Sequence, residues 1–500
     1  MSDVIEQLAT SLRLAGLNLD LAAGFRPHGM VRRVGDGVAF IVGLEDIGYE
    51  DMLAFDSGAF GMAYDLGPKG TGAIMLSGAD HIGAGDGVVG LGRPPALPVG
   101  LETLGRIIDP LGNPLDEGPP LKGDERSPLF QPAPEFIDRK SVDEPLLTGV
   151  MVIDAAIPIG RGQRELIIGD RNTGKSALAL DIVTNQQSGD VACVYVTIGQ
   201  PMSRVLALRD TLERVNALSN TVIVAADASM APGMQYLAPY AGASVAEWFR
   251  ENGDHAVVVY DDLTKHADAY REMALLLDRP PGREAFPGDI FYVHAELLER
   301  ATALRAESGG GSVTAFPIVE TTDSDISGYI PTNLISITDG QFYLDTARFE
   351  RNQRPAVDIG RSVSRIGSAA QSEAMKTVSR NLRISMSRFE AVEALARVGL
   401  DVDESTQAVI RRGRIMRELL QQPRFAHRST ADQVLLLTAT TEGWLDDVDL
   451  VNVSATAARL LRRVRSESAM VTSALDSGKL PDGWKDDFGA KVRRALAGES

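Results

Sequence analysis

The stretch Glu165-Leu166-Ile167-Ile168-Gly169-Asp170-Arg171-Asn172-Thr173-Gly174-Lys175-Ser176, followed by Ala177-Leu178-Ala179-Leu180-Asp181-Ile182-Val183, reads as a buried strand, a glycine-bounded loop and a helix. Residues 169–176 fit the pattern G-x-x-x-x-G-K-[ST]. Chemistry explains the spacing. From Gly169 through Asp170, Arg171, Asn172 and Thr173 to Gly174, backbone N–H groups curl around a β-phosphate. Lys175 brings a positive charge to the β- and γ-phosphates, and the Ser176 hydroxyl is placed to ligate Mg²⁺. The helix that follows begins where its N-terminus favours an anion. The expected ligands are ATP or ADP with Mg²⁺.

Such a loop needs a second acid at the end of a neighbouring strand to hold the metal's water shell. The run His255-Ala256-Val257-Val258-Val259-Tyr260-Asp261-Asp262 supplies one, with Asp261 favoured for the metal and Asp262 as the alternative. A helix N-cap is the other role open to either. Hydrolysis also needs a carboxylate to orient or deprotonate water, commonly at the end of the strand after the loop helix. That strand is VACVYVTIG, and Gln200 follows it. A glutamine cannot take up a proton at neutral pH, so the pocket reads as able to bind Mg-nucleotide and poorly able to turn it over.

Around this centre the texture changes along the chain. Residues 24–94 carry short apolar runs broken by glycine, the signature of a small closed β-barrel. The stretch RPPALPVG, residues 93–100, reads as a linker. Residues 95–368 alternate strand-like and helix-like segments, as a mostly parallel α/β sheet requires, and residues 369–500 read as a helical domain. Residues 1–23 form a short amphipathic helix or tether. A length of 500 residues exceeds one core, so several domains are expected. Net charge is −18, from 50 Lys and Arg against 68 Asp and Glu, which argues against a nucleic-acid-binding surface. One cysteine, Cys193, sits inside an apolar strand and leaves no partner for a disulfide. No signal peptide or membrane span is read, so any membrane link comes through partners.

The segments PIGRGQRELIIGDRNTGKSALA, YVTIGQ, the run from Tyr260 (YDDLTKHADAYREM) to Arg300, PTNLISITDGQ and SVSRIGSAAQ closely resemble the alpha subunit of rotary F-type ATP synthases, and the similarity extends over most of the chain. The resemblance implies a headpiece of alternating alpha and beta subunits around a gamma shaft, with a delta-type subunit and a membrane ion-translocating sector. It also implies a peripheral position on the cytoplasmic face of the bacterial inner membrane. Alpha subunits of the family bind Mg-ATP without hydrolysing it, and Gln200 stands where beta subunits have a catalytic glutamate. The family's arginine finger lies in V-S-R-[VI]-G, here Val363 to Gly367, which carries that role over to Arg365. Ser336 matches a second position near the same interfacial phosphate.

Departures from the family pattern are local. Asn172 and Ser176 replace the usual Gln and Thr and preserve hydrogen-bonding type. In the family a segment resembling L-L-K-Q-x-Q-Y holds the base, whereas this chain reads Leu419-Leu420-Gln421-Gln422-Pro423-Arg424-Phe425. Gln422 aligns with the first glutamine and Arg424 replaces the second, which puts adenine selectivity in question. These differences suggest a divergent or second-copy synthase, coupled to protons or sodium ions. The competing expectation is a self-catalytic homohexameric P-loop motor, such as a secretion ATPase or a Rho-like helicase, which would need a carboxylate where Gln200 stands.

Overall fold

The computed structural model describes residues 28–123, 125–397 and 403–496; the expected tether over residues 1–23 lies outside them. Two compact units are present. In the first, β1 (His28–Gly35), β2 (Val38–Val42), β3 (Met52–Phe55), β4 (Phe60–Gly67), β5 (Gly70–Ser77) and β6 (Gly87–Gly90) close into an antiparallel barrel in the order β1-β2-β5-β4-β3-β6. β6 returns to pair with β1, so every strand has two neighbours and no edge is left to pair with another chain. Val31, Ile41, Leu53, Phe55, Met75 and Val88 fill the interior.

The second unit contains the sheet. Short strands β7 (Ala96–Pro98), β8 (Ile107–Ile108) and β9 (Arg126–Pro128) come first, and β7 pairs with β9. The stretch read as a linker therefore contains a strand. Its partner lies some thirty residues further on and leaves no local mark in the sequence. The main strands are β10 (Glu165–Asp170), β11 (Val191–Gln200), β12 (Thr221–Asp227), β13 (His255–Asp261), β14 (Ser312–Thr321), β15 (Gly340–Leu344) and β16 (Val363–Ser364).

They lie in the order β16-β15-β10-β14-β13-β11-β12-β8, all parallel except β16, with helical crossovers between them. Strands buried on both faces explain the uninterrupted apolar runs that stood out in the sequence. From residue 373 onward the unit is helical, from Glu373–Ser379 to Trp484–Leu496. Phe389, Leu419, Val434, Leu437 and Leu460 belong to one apolar cluster with Ile153 and Ile182 beneath the sheet, so the helices share the core of the α/β part. Cys193 is buried in β11, and burial pushes its thiol up to about 12.

Candidate nucleotide site and the opposite end of its strand

Residues 169–176 leave the C-terminal end of β10 and enter the helix Lys175–Asn185. Asn172 and Gly174 take left-handed backbone conformations, with φ of 63° and 97°, which give the loop its curl. A buried Lys175 donates from Nζ to the carbonyls of Gly169 (2.9 Å) and Asp170 (2.7 Å). Burial lowers its pKa from the ordinary value against the pull of Glu320, Asp262, Asp261 and Asp170. Thr173 closes the turn by donating to the Asp170 carbonyl at 2.8 Å. The Asp170 carboxylate instead accepts from Thr321, Ser324 and Thr346, which tie the loop's base to two neighbouring segments.

Of the paired acids at the end of β13, Asp262 takes the helix cap and Asp261 turns to the loop. The Asp261 carboxylate accepts from Tyr195 Oη at 2.8 Å and from the Ser176 hydroxyl. Burial, and then the like charge of Asp262, raises its pKa. Asp262 accepts from the backbone of Lys265 at 2.9 Å, capping the helix Leu263–Leu276, and pairs with the Lys265 ammonium. An exposed Ser176 hydroxyl beside a carboxylate is the donor set that an Mg²⁺ with its water shell requires, so these residues fit the ion. Gln200 is buried and donates to the Asp261 carbonyl at 3.2 Å. Glu320, at the end of β14, was not singled out in the sequence; it lies 3.4 Å from Arg171 and 4.0 Å from Lys175.

The opposite end of β10 is built differently. Glu165, the first residue of β10, pairs with Gly340 of β15, and Gly340 pairs with Ser364 of β16. Arg365 follows directly. Its backbone N–H donates to the Asp339 carbonyl at 2.8 Å, while its side chain is exposed and makes no ion pair among the described residues. Five residue steps of β10 separate the two ends, about 16 Å at ~3.3 Å per residue. Arg365 therefore stands apart from its own chain's loop. Ser336 is exposed on the helix Tyr329–Ile337, with its hydroxyl donating to Thr332 O at 2.9 Å.

The footing under Arg365 is firm. Asp339 accepts from the Arg164 backbone and guanidinium at 2.9–3.0 Å. Ser364 donates to Pro158 O at 2.8 Å and accepts from Gln163 Nε2 at 3.2 Å. Gln163 also donates to Glu165 at 2.8 Å. The Glu165 carboxyl is fully buried, its second oxygen has no hydrogen-bond partner, and burial pushes its pKa well above the ordinary carboxylate range. Gly340 makes this possible, since a Cβ there would sit 2.5 Å from that carboxyl.

Two family descriptions match. "ATP synthase alpha/beta family, nucleotide-binding domain" covers residues 149–364, and "ATP synthase alpha/beta chain, C terminal domain" covers residues 371–494. An "ATP synthase subunit alpha 1" from Marinomonas is 47% identical over 94% of this chain and 92% of its own length. An "ATP synthase subunit alpha" from Dehalococcoides mccartyi is 48% identical over 89% of each chain. An "ATP synthase subunit alpha 2" from Polaromonas naphthalenivorans is 47% identical over 91% of this chain and 88% of its own. The chain belongs to the ATP synthase alpha/beta family.

Within that family it is an F-type alpha subunit, a nucleotide-binding part of a complex with other ATP synthase subunits. Alpha subunits are peripheral parts of a membrane complex, and no helix among the described residues is long and apolar enough to cross a membrane. The segment where this alpha subunit departs from the family pattern serves an internal seam. Gln422 is buried; its Oε1 accepts from Met151 N at 2.7 Å, and its Nε2 donates to the carbonyls of Gly149 and Ala426 at 2.9 Å. Its amide is thus taken up between the helical and α/β parts. Arg424 is exposed, its guanidinium over the Phe425 ring at 4.8 Å, and Phe425 N donates to Asp181 of the loop helix at 2.9 Å. Arg354 lies over Phe349 at 4.6 Å, and a Cβ at Gly174 would be 3.7 Å from Phe349.

Proposed function

We propose that this chain is the regulatory, non-catalytic alpha subunit: it retains Mg-nucleotide in its own loop and presents Arg365 to the catalytic site of an adjacent beta subunit. The observation that carries the reading is the position of Arg365, an exposed arginine without an ion pair among the described residues, at the far end of β10 from its own phosphate loop. A cation so placed cannot serve the chain's own nucleotide. A guanidinium against a γ-phosphate stabilises the charge spread over the transferring phosphoryl group. Ser336 is assigned to the same interfacial phosphate.

In the chain's own pocket, Lys175 and the backbone from Gly169 to Gly174 hold the phosphates. Ser176, and Asp261 through water, hold Mg²⁺, which neutralises phosphate charge when bound. Asp170 and Thr173 set the shape of the loop, Asn172 its curl, and Arg171 stands at its rim. The stacked pairs Phe349–Arg354 and Phe425–Arg424 flank the loop helix and offer faces to a base. Arg354 and Arg424 are exposed on this rim with guanidinium donors that no hydrogen bond or ion pair engages among the described residues, whereas Gln422 acts by fixing the seam behind it. Turnover is withheld because Gln200 cannot act as a base and Glu320 is engaged by Arg171 and Lys175.

The assembled partners are beta, gamma and delta-type subunits and a membrane sector driven by a proton or sodium gradient, with the headpiece on the cytoplasmic face of a bacterial inner membrane. The self-catalytic motor has no support in this pocket. Calorimetry and a coupled ATPase assay on the isolated chain test the reading. Mg-ATP is expected to bind at one site per chain with no steady-state turnover. Robust hydrolysis by the chain alone would overturn it.

A further inference from the structure

A second feature beside β16 lies outside both sites. Where the helices Glu373–Ser379 and Leu382–Arg397 meet, a cavity of about 520 Å³ opens against the residues that precede β10. Three cations line it: Lys376 from the first helix, Arg380 from the turn between the two, and Arg383 from the second. No Asp or Glu lines the cavity. None of the three makes an ion pair among the described residues; Arg383 alone is anchored, by an Nη2 hydrogen bond to the Ser362 carbonyl at 2.9 Å.

In a chain with 68 acidic and 50 basic residues, three neighbouring cations without a carboxylate are conspicuous. Like charges gathered on one cavity wall repel one another. The rest of the lining is suited to an anion as well. Ser368 contributes an exposed hydroxyl and Ala155 with Pro158 forms an aliphatic floor, whereas the Thr377 hydroxyl donates to the Glu373 carbonyl at 2.9 Å. The volume exceeds what one phosphate needs and leaves room for its water or for a larger phosphorylated body.

We propose that this cavity is an anion site that takes a multiply charged oxyanion, either inorganic phosphate or the phosphate tail of a free nucleotide, on Lys376, Arg380 and Arg383. It is distinct from the phosphate loop, which lies at the other end of β10. It is also distinct from Arg365, which does not line the cavity although Ser364 and Gly367 on either side of it do. The site therefore stands whether or not Arg365 acts as a finger. Bound there, an oxyanion neutralises the repulsion between the three cations and braces the segment that follows β16.

Equilibrium dialysis of the full chain against radiolabelled inorganic phosphate, with the phosphate loop loaded by one stoichiometric equivalent of Mg-ATP and free nucleotide removed, tests this. Wild type is expected to bind one further equivalent of phosphate. K376Q/R380Q is expected to weaken that binding at least about tenfold, since hydrogen bonds to charged groups are being removed. R365A is expected to leave it unchanged. S368E, which brings a carboxylate into the cavity and leaves all three cations in place, is expected to abolish it. An unchanged Mg-ATP stoichiometry in each variant verifies the fold. Excess ADP that competes with the phosphate identifies a nucleotide tail as the natural occupant, and ADP without effect identifies free phosphate. No second equivalent in wild type, or equal binding in wild type, K376Q/R380Q and S368E, overturns the site. So does loss of binding in R365A alone, which would assign the anion to the finger.

Discussion

The two ends of β10 are held by the same strand and treat charge in opposite ways. At its C-terminal end Lys175, Asp170, Asp261 and Asp262 are all engaged within the chain, by carbonyls, by hydroxyls or, for Asp262, by Lys265. At its N-terminal end Glu165, a buried acid whose pKa burial raises, underlies a cation that faces outward. The first arrangement is a complete receptor that waits for a ligand. The second is half of one, because an exposed guanidinium gains little from water and much from a desolvated phosphate. On the reading proposed above, one element carries a self-contained site and a contribution to a neighbour's.

Three experiments break or sharpen that contrast, taken from the largest effect down. Arg365→Ala is expected to lower steady-state ATPase of the assembled complex by about 10³-fold or more, while Mg-ATP binding to this chain stays as in wild type; near-normal turnover would leave the outer end of β10 without its role. Lys175→Ala is expected to weaken Mg-nucleotide binding to the isolated chain by about 10- to 100-fold, read by calorimetry. Unchanged affinity would mean that the loop's carbonyls, and not a phosphate, are the true partners of this ammonium.

The smallest effect belongs to Glu165→Gln. Because its pKa is raised in the folded chain above the ordinary 4.5, the folded state retains a proton that the unfolded state has released. Stability attributable to Glu165 is therefore full below pH 4.5 and falls as pH rises toward the raised value, by at most about 1.4 kcal/mol per pH unit. Thermal unfolding of the glutamine variant across that range is expected to be flatter with pH than that of wild type. Parallel curves would show Glu165 ionised and the outer end of β10 charged on both faces.

The contrast also explains what could be read from the residues alone. The loop from Gly169 to Ser176, the paired acids after β13 and Gln200 after β11 each occupy a strand end, and short-range pattern suffices for them. Partners brought together by the sheet were invisible. Tyr195 reaches Asp261 from the middle of a largely apolar strand, where the one local signal is a phenol that needs a partner once buried. Glu320 meets Lys175 across some 145 residues, and Thr346 meets Asp170 across 176. Gln422 aligned with a base-holding position, yet its amide closes a seam 271 residues away in sequence. Barrel strands β3 and β4, in which large residues are interspersed with small ones, were absorbed into a general expectation of a barrel.

Burial of Cys193 has a practical corollary. The chain's sole sulfhydryl lies in the middle of the sheet with its proton held to about pH 12, out of reach of maleimides and iodoacetamides. A cysteine introduced at any exposed position would be the one nucleophilic sulfur on the surface. A fluorophore or bead attached there would report from a single address, with no background to engineer away, and motions of an assembled rotary machine could be followed from this subunit.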